Sequence, residues 1–156
     1  MAGLADDWQE NRQTCVDVIC AYLQLPNEPG PGSDAPGPQR LAFRASQKVR
    51  HTVIRVITAH LREDAAESWQ GLDFDFTGAV FDGGDFSRAR FTGGTVDFTD
   101  AHFPVGHVDF RRAEFSAAII FSFAQFSDGK VDFDYAEFSG ATVWFIEDEV
   151  SGGTID

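Results

Sequence analysis

Residues 86–103 read FSRARFTGGTVDFTDAHF, and the phenylalanines in this stretch return on a fixed beat. Phe86, Phe98 and Phe110 stand twelve apart, as do Phe133 and Phe145, with one residue missing near Phe121. A second series, Phe91, Phe103, Phe115, Phe126 and Phe138, follows five residues behind. Self-similarity at a fixed period marks a solenoid, in which each unit buries its apolar face only against its neighbours. A chain with 16 Phe against one Met and two Tyr has committed its core to one side chain.

The units are triplets. Ala89-Arg90-Phe91, Ala101-His102-Phe103, Ala113-Glu114-Phe115, Ala124-Gln125-Phe126 and Ala136-Glu137-Phe138 share the form Ala-x-Phe. They alternate with Val96-Asp97-Phe98, Val108-Asp109-Phe110, Ile119-Ile120-Phe121, Val131-Asp132-Phe133 and Val143-Trp144-Phe145. Each triplet puts a small or β-branched residue and a Phe on one side and a mostly polar residue on the other, which is strand alternation in very short segments. The connectors alternate too. Thr99-Asp100 or Arg111-Arg112 follows a Val-x-Phe triplet; longer corners such as Thr92-Gly93-Gly94-Thr95 follow Ala-x-Phe, with Gly where a turn needs positive φ.

These triplets closely resemble the pentapeptide-repeat family, whose consensus is roughly Ala-(Asp/Asn)-(Leu/Phe)-x-x. Phe76, Phe81, Phe86 and Phe91 keep the five-residue step; beyond them fives and sevens alternate. The resemblance implies a mainly β fold, a right-handed quadrilateral β-helix with stacked phenylalanines inside. Alternating fives and sevens make a four-sided coil of twenty-four residues, whereas the family's regular coil is four fives. A three-sided coil of twelve is the alternative, and it crowds two Phe, an Ala and a Val into a narrow section. The four-sided reading predicts one ladder of Phe86, Phe110 and Phe133 and another of Phe91, Phe115 and Phe138.

Residues 1–68 are helical in character and 69–156 form the repeat. The helical part repeats itself: RQTCVDVICAYLQ at 12–24 matches RHTVIRVITAHLR at 50–62. Two such copies 38 residues apart resemble a pair of HEAT-like repeats. In the second copy Val49, Val53, Val56, Ile57 and His60 fall on one helical face and predict its buried stripe. The stretch 26–38, PNEPGPGSDAPGP, holds five Pro and predicts a loop that ends the first helix. Trp69 stands at the junction, and the helical region is expected to cap the N-terminal end of the stack, whose open strands otherwise invite association. Cys15 and Cys20 have neither CxxC nor disulfide-framework spacing and read as buried thiols.

Charge is uneven. Residues 1–69 carry 9 acids and 7 Lys/Arg, whereas residues 70–156 carry 16 acids and 5 Lys/Arg. Such a body repels bare nucleic acid and complements a basic protein surface; it also disfavours self-association of a repetitive β protein. Asp85, Asp97, Asp109 and Asp132 occupy the outward middle of successive triplets, and Trp144 replaces Asp in that series. These five are the candidate interaction surface. The series lacks the Gly-Gly-x-Gly-x-Asp pattern of repeat calcium sites, and His102 and His107 read as surface histidines, so no metal or cofactor is expected. No nucleophile–base spacing, catalytic carboxylate pair or phosphate loop stands out; Gly83-Gly84 and Gly93-Gly94 read as corners.

The expectation is a non-enzymatic, rigid, acidic protein-interaction module in the cytoplasm, since no stretch reaches the roughly 18–20 apolar residues that cross a bilayer and residues 1–10 do not read as a secretion signal. The family resemblance supplies the alternative of a DNA mimic that modulates DNA gyrase or another topoisomerase. Bacterial proteins similar to this layout often carry membrane helices ahead of the helical region, and none is read here. Phe145, Val150 and Ile155 are the candidate end through which a homodimer would form.

Overall fold

The computed structural model describes residues 2–25, 30–145, 149–150 and 152–156. Two helices, α1 (Ala2–Leu23) and α2 (Gly37–Leu61), precede thirteen strands of two or three residues, numbered β1 to β13 in chain order. All strand pairs are parallel. The first face stacks β1 (Phe74–Asp75), β4 (Thr95–Asp97), β8 (Ala118–Ile120) and β11 (Thr142–Trp144). The second stacks β5 (His102–Phe103), β9 (Gln125–Phe126) and β12 (Glu149–Val150), and the third β2 (Gly84–Asp85), β6 (His107–Asp109), β10 (Lys130–Asp132) and β13 (Thr154–Ile155). The fourth pairs β3 (Arg90–Phe91) with β7 (Glu114–Phe115). The chain visits the four faces in turn, so the fold is a four-sided parallel β-solenoid of about three turns.

Register shows the coil length directly. Phe91 lies over Phe115 and Val131 over Ile155, steps of twenty-four. Val96 over Ile119 and Phe103 over Phe126 are steps of twenty-three, which locates the missing residue near Phe121. Phe74 over Val96 is a step of twenty-two, where the chain still counts in fives.

The predicted ladders form. Phe86 stacks on Phe110 at 4.8 Å and Phe110 on Phe133 at 5.0 Å. Phe91, Phe115 and Phe138 stack at 5.2 and 5.0 Å. Two further ladders fill the other half of the section: Phe76, Phe98, Phe121 and Phe145, and Phe81, Phe103 and Phe126. Each ring meets the neighbouring ladder at an angle, as with Phe98 edge-on to Phe110. Offset-stacked and edge-on geometry suits the ring quadrupole better than a sandwich.

Corners are set by the outward Asp residues. The carboxylates of Asp75, Asp85, Asp97, Asp109 and Asp132 each accept the backbone N–H two residues on, at 2.8–3.0 Å. The next residue takes positive φ and a turn closes through hydrogen bonds such as Ala89 N–H to Phe86 O and Ala113 N–H to Phe110 O. Gly78 holds that position at the first such corner, but Arg88, Asp100, Arg112, Phe123 and Tyr135 hold it at the later ones, all with φ near 60°. A left-handed backbone costs a side-chain-bearing residue roughly 1–2 kcal/mol.

The helices cover the first coil. Gln13 acts as a short piece of strand: its Oε1 accepts the Asp73 backbone N–H at 2.9 Å, and its Nε2 donates to the Asp73 carbonyl at 2.8 Å. Thr58 Oγ1 donates to the Asp85 carbonyl, and Arg12 Nη1 to the Ser68 carbonyl. Backbone groups that an open edge leaves to water or to another chain are thus satisfied internally. Gly84 lies within β2, not at a corner as its sequence context suggests; a Cβ there would lie 2.6 Å from Ile54 Cδ1, so Ile54 fills the inward space that Gly84 leaves.

The internal duplication now has a physical reading. Buried Val16, Cys20 and Leu23 of α1 match buried Ile54, Thr58 and Leu61 of α2. α1 packs against β1 and α2 against β2, on opposite faces of the first coil. Each copy is one continuous helix, so what resembled a pair of HEAT repeats is one pair of helices. Three sequence expectations change here. The buried face of α2 is Arg50, Ile54, Ile57, Thr58 and Leu61, with Val53 partly buried beside it, while Val49 and Val56 are exposed, because α2 docks through its hydrogen bonds to the coil edge and turns these two valines outward. Cys15 is exposed, and only Cys20 is buried; burial pushes its thiol up to about 12. Residues 37–38 belong to α2, with Pro36 as its N-cap, so the proline-rich loop ends sooner than its composition suggests. Trp69 is buried and stacks on His60 at 3.9 Å.

Candidate functional site

The ladders leave the interior to phenylalanine, so the polar chemistry of the body lies on its outer faces and corners. The five candidate surface residues divide between two of them. Asp85, Asp109 and Asp132 are consecutive in register on the third face. Asp97 lies on the first face, opposite, where Trp144 tops the column above Ile120. A half-coil of about twelve residues sends every second triplet to the far side, so one series in sequence becomes two columns in space.

The third-face carboxylates are engaged. Asp132 is buried; the Asp134 backbone N–H holds its carboxyl below the usual range, with Lys130 Nζ at 3.4 Å and His107 Nε2 at 3.5 Å. Asp109 is also lowered: burial pulls it upward, but the hydrogen bonds from Arg111, one of them 2.7 Å, prevail. These groups build corners first.

Trp144 differs. Its indole is 51% exposed on the first face, beside the half-exposed Phe145. Phe145 stacks on Phe121, and Ile155, on the third face, pairs with Val131 one coil below. Both lie on the last coil, and the side chain of Val150 lies outside the described residues. His102 and His107 fall on the second and third faces. Among the described residues no group of three His, Cys, Asp or Glu is placed to hold a metal ion.

One contact escaped local spacing. His102 Nε2 lies 2.9 Å from Ser127 Oγ in the next coil. The two are twenty-five residues apart, and only folding the sequence on the coil length reveals them. Pairing of a histidine with a hydroxyl resembles half of a nucleophile–base arrangement, but among the described residues no carboxylate bonds the other ring nitrogen to orient it. The bond ties two coils together.

The arrangement is a repetitive β-solenoid whose variable chemistry is all external. The family model for pentapeptide repeats (9 copies) matches residues 76–125, so this segment consists of pentapeptide repeats. No curated protein and no solved structure matches the chain significantly. Among the described residues no helix is long and apolar enough to cross a membrane.

Proposed function

We propose that the protein is a non-catalytic interaction module of the cytoplasm that presents rigid outer faces of its solenoid to another protein. The observation that carries this reading is Trp144, a half-exposed indole at a triplet position that is a corner-capping Asp at Asp97 and Asp75 in the same column and the apolar Ile120 in the coil below. Large aromatics that pack flat against a partner dominate the energetics of many interfaces, and the acidic body favours a partner with a basic surface. Trp144→Ala is expected to leave the fold intact and to weaken capture of that partner by tenfold or more, while raised salt weakens the remainder. Affinity capture with both proteins, followed by titration against the recovered partner, reads the effect; equal affinity for the variant would remove Trp144 from the interface.

The reading as a DNA mimic is less favoured, because a phosphate-like rail needs carboxylates in one line on one face. Here only Asp85, Asp109 and Asp132 line up on the third face, a run of three, and each caps its own corner, with Arg111 and Lys130 set among them. Gyrase supercoiling at micromolar protein distinguishes the two. End-to-end pairing of two copies through Phe145, Val150 and Ile155 is a further use of the last coil, read by light scattering over a concentration series: a constant monomer mass would exclude it.

A further inference from the structure

The acidic body carries only five basic residues, and four of them meet at one corner. A groove of about 1060 Å³ runs along the edge between the third and fourth faces and under the end of α2. Arg62, Arg88, Arg90, Arg111, Arg112 and Tyr135 line it. The coil register explains the gathering: Arg88 and Arg112 are twenty-four residues apart and occupy the same corner of consecutive coils, with Tyr135 next in line.

Three of these arginines differ from the rest. Arg90 is held by Glu114 at 2.8 Å and by Glu63 at 3.7 Å, and Arg111 by Asp109. Arg62, Arg88 and Arg112 form no ion pair with any described residue, although Glu63, Asp64, Glu114 and Asp134 also border the groove. Arg112 instead lies over the Tyr135 ring, 6.0 Å from its centroid. Arg88 and Arg112 also sit at positive φ, 60° and 59°, where glycine is the unstrained choice.

We propose that this groove binds a small phosphate-bearing ligand through Arg88 and Arg112, with Arg62 closing over it from the end of α2. Two guanidinium forks on consecutive coils stand roughly 4.8 Å apart at the backbone, a spacing at which both reach the several oxygens of one phosphate or pyrophosphate group. A planar carboxylate is satisfied by a single fork. The acid of the remaining surface does not prevent this, because charges beyond about 8 Å are screened at physiological salt. It does disfavour an extended polyanion such as nucleic acid.

The test is calorimetric titration with inorganic pyrophosphate, using the whole chain. The expected result is saturable binding at one site, weakened roughly tenfold for each guanidinium removed in Arg88→Gly and Arg112→Gly. Because glycine relieves positive-φ strain, the double variant should melt no lower than the parent, which separates lost binding from lost fold. The control Arg44→Gln/Arg55→Gln removes the same charge from exposed positions of α2 and should bind as the parent does. The proposal is overturned if the parent shows no saturable binding, if the glycine variant binds equally well, or if the control loses as much. Binding of a phosphoserine peptide without binding of pyrophosphate would also overturn it.

Discussion

Replacing Phe110 with Ala is expected to cost about 3–5 kcal/mol, a large part of the stability of a domain this size. The Phe110 ring is fully buried, stacked between Phe86 and Phe133 within 6° of parallel, and edge-on to Phe98. Alanine there removes one rung from the middle of a ladder, and the rungs on either side cannot close the gap because the strand ladders fix the coil spacing. Phe145→Ala supplies the contrast. That ring is already half-exposed on the last coil and, among the described residues, stacks on Phe121 alone, so its loss should cost about 1 kcal/mol. Urea denaturation of the two variants measures both values. Equal losses would mean that the rings do not form a stack with an interior and an end.

Asp82→Ala is expected to cost a similar amount, about 3–5 kcal/mol, although it removes no apolar surface. Asp82 is buried where α2 meets the solenoid, and its carboxylate takes Arg50 Nη2 at 2.5 Å, Gln47 Nε2 at 3.2 Å and His51 Nε2 at 3.2 Å. Truncation leaves the buried Arg50 guanidinium without its carboxylate, and desolvated charge is expensive. The double variant Arg50→Met/Asp82→Ala should recover most of the loss, since replacing both members of a buried pair by apolar groups is often nearly neutral. A double variant as unstable as Asp82→Ala would show that the loss comes from the corner itself and not from the stranded charge.

The solenoid was legible in the sequence because one side chain recurs at a fixed interval. The four-sided section, the coil length and the two predicted ladders follow from counting Phe86, Phe91 and their successors, and the structure bears them out. The face that α2 buries was only partly legible. Apolar periodicity selects Val49, Val53, Val56, Ile57 and His60, of which Ile57 is buried and His60 stacks on Trp69; it misses Arg50 and Thr58, polar residues whose partners are Asp82 and an Asp85 carbonyl far along the chain. The surface was half legible. The outward Asp residues were identifiable, but their shared role as corner caps depends on backbone N–H groups that a sequence pattern does not display. Arg88, Arg90, Arg111 and Arg112 are two separate pairs in the sequence and form one edge once the sequence is folded on its coil.

The central claim is that the outer faces, and the first face above all, carry the function. Site-specific photo-crosslinking tests it most directly, with a benzophenone side chain placed at Trp144 on the first face or at His107 on the third. The account predicts that position 144 yields one protein adduct which added salt suppresses, and that position 107 yields none of that partner. Adducts of equal yield from both positions, or none from position 144, would contradict it.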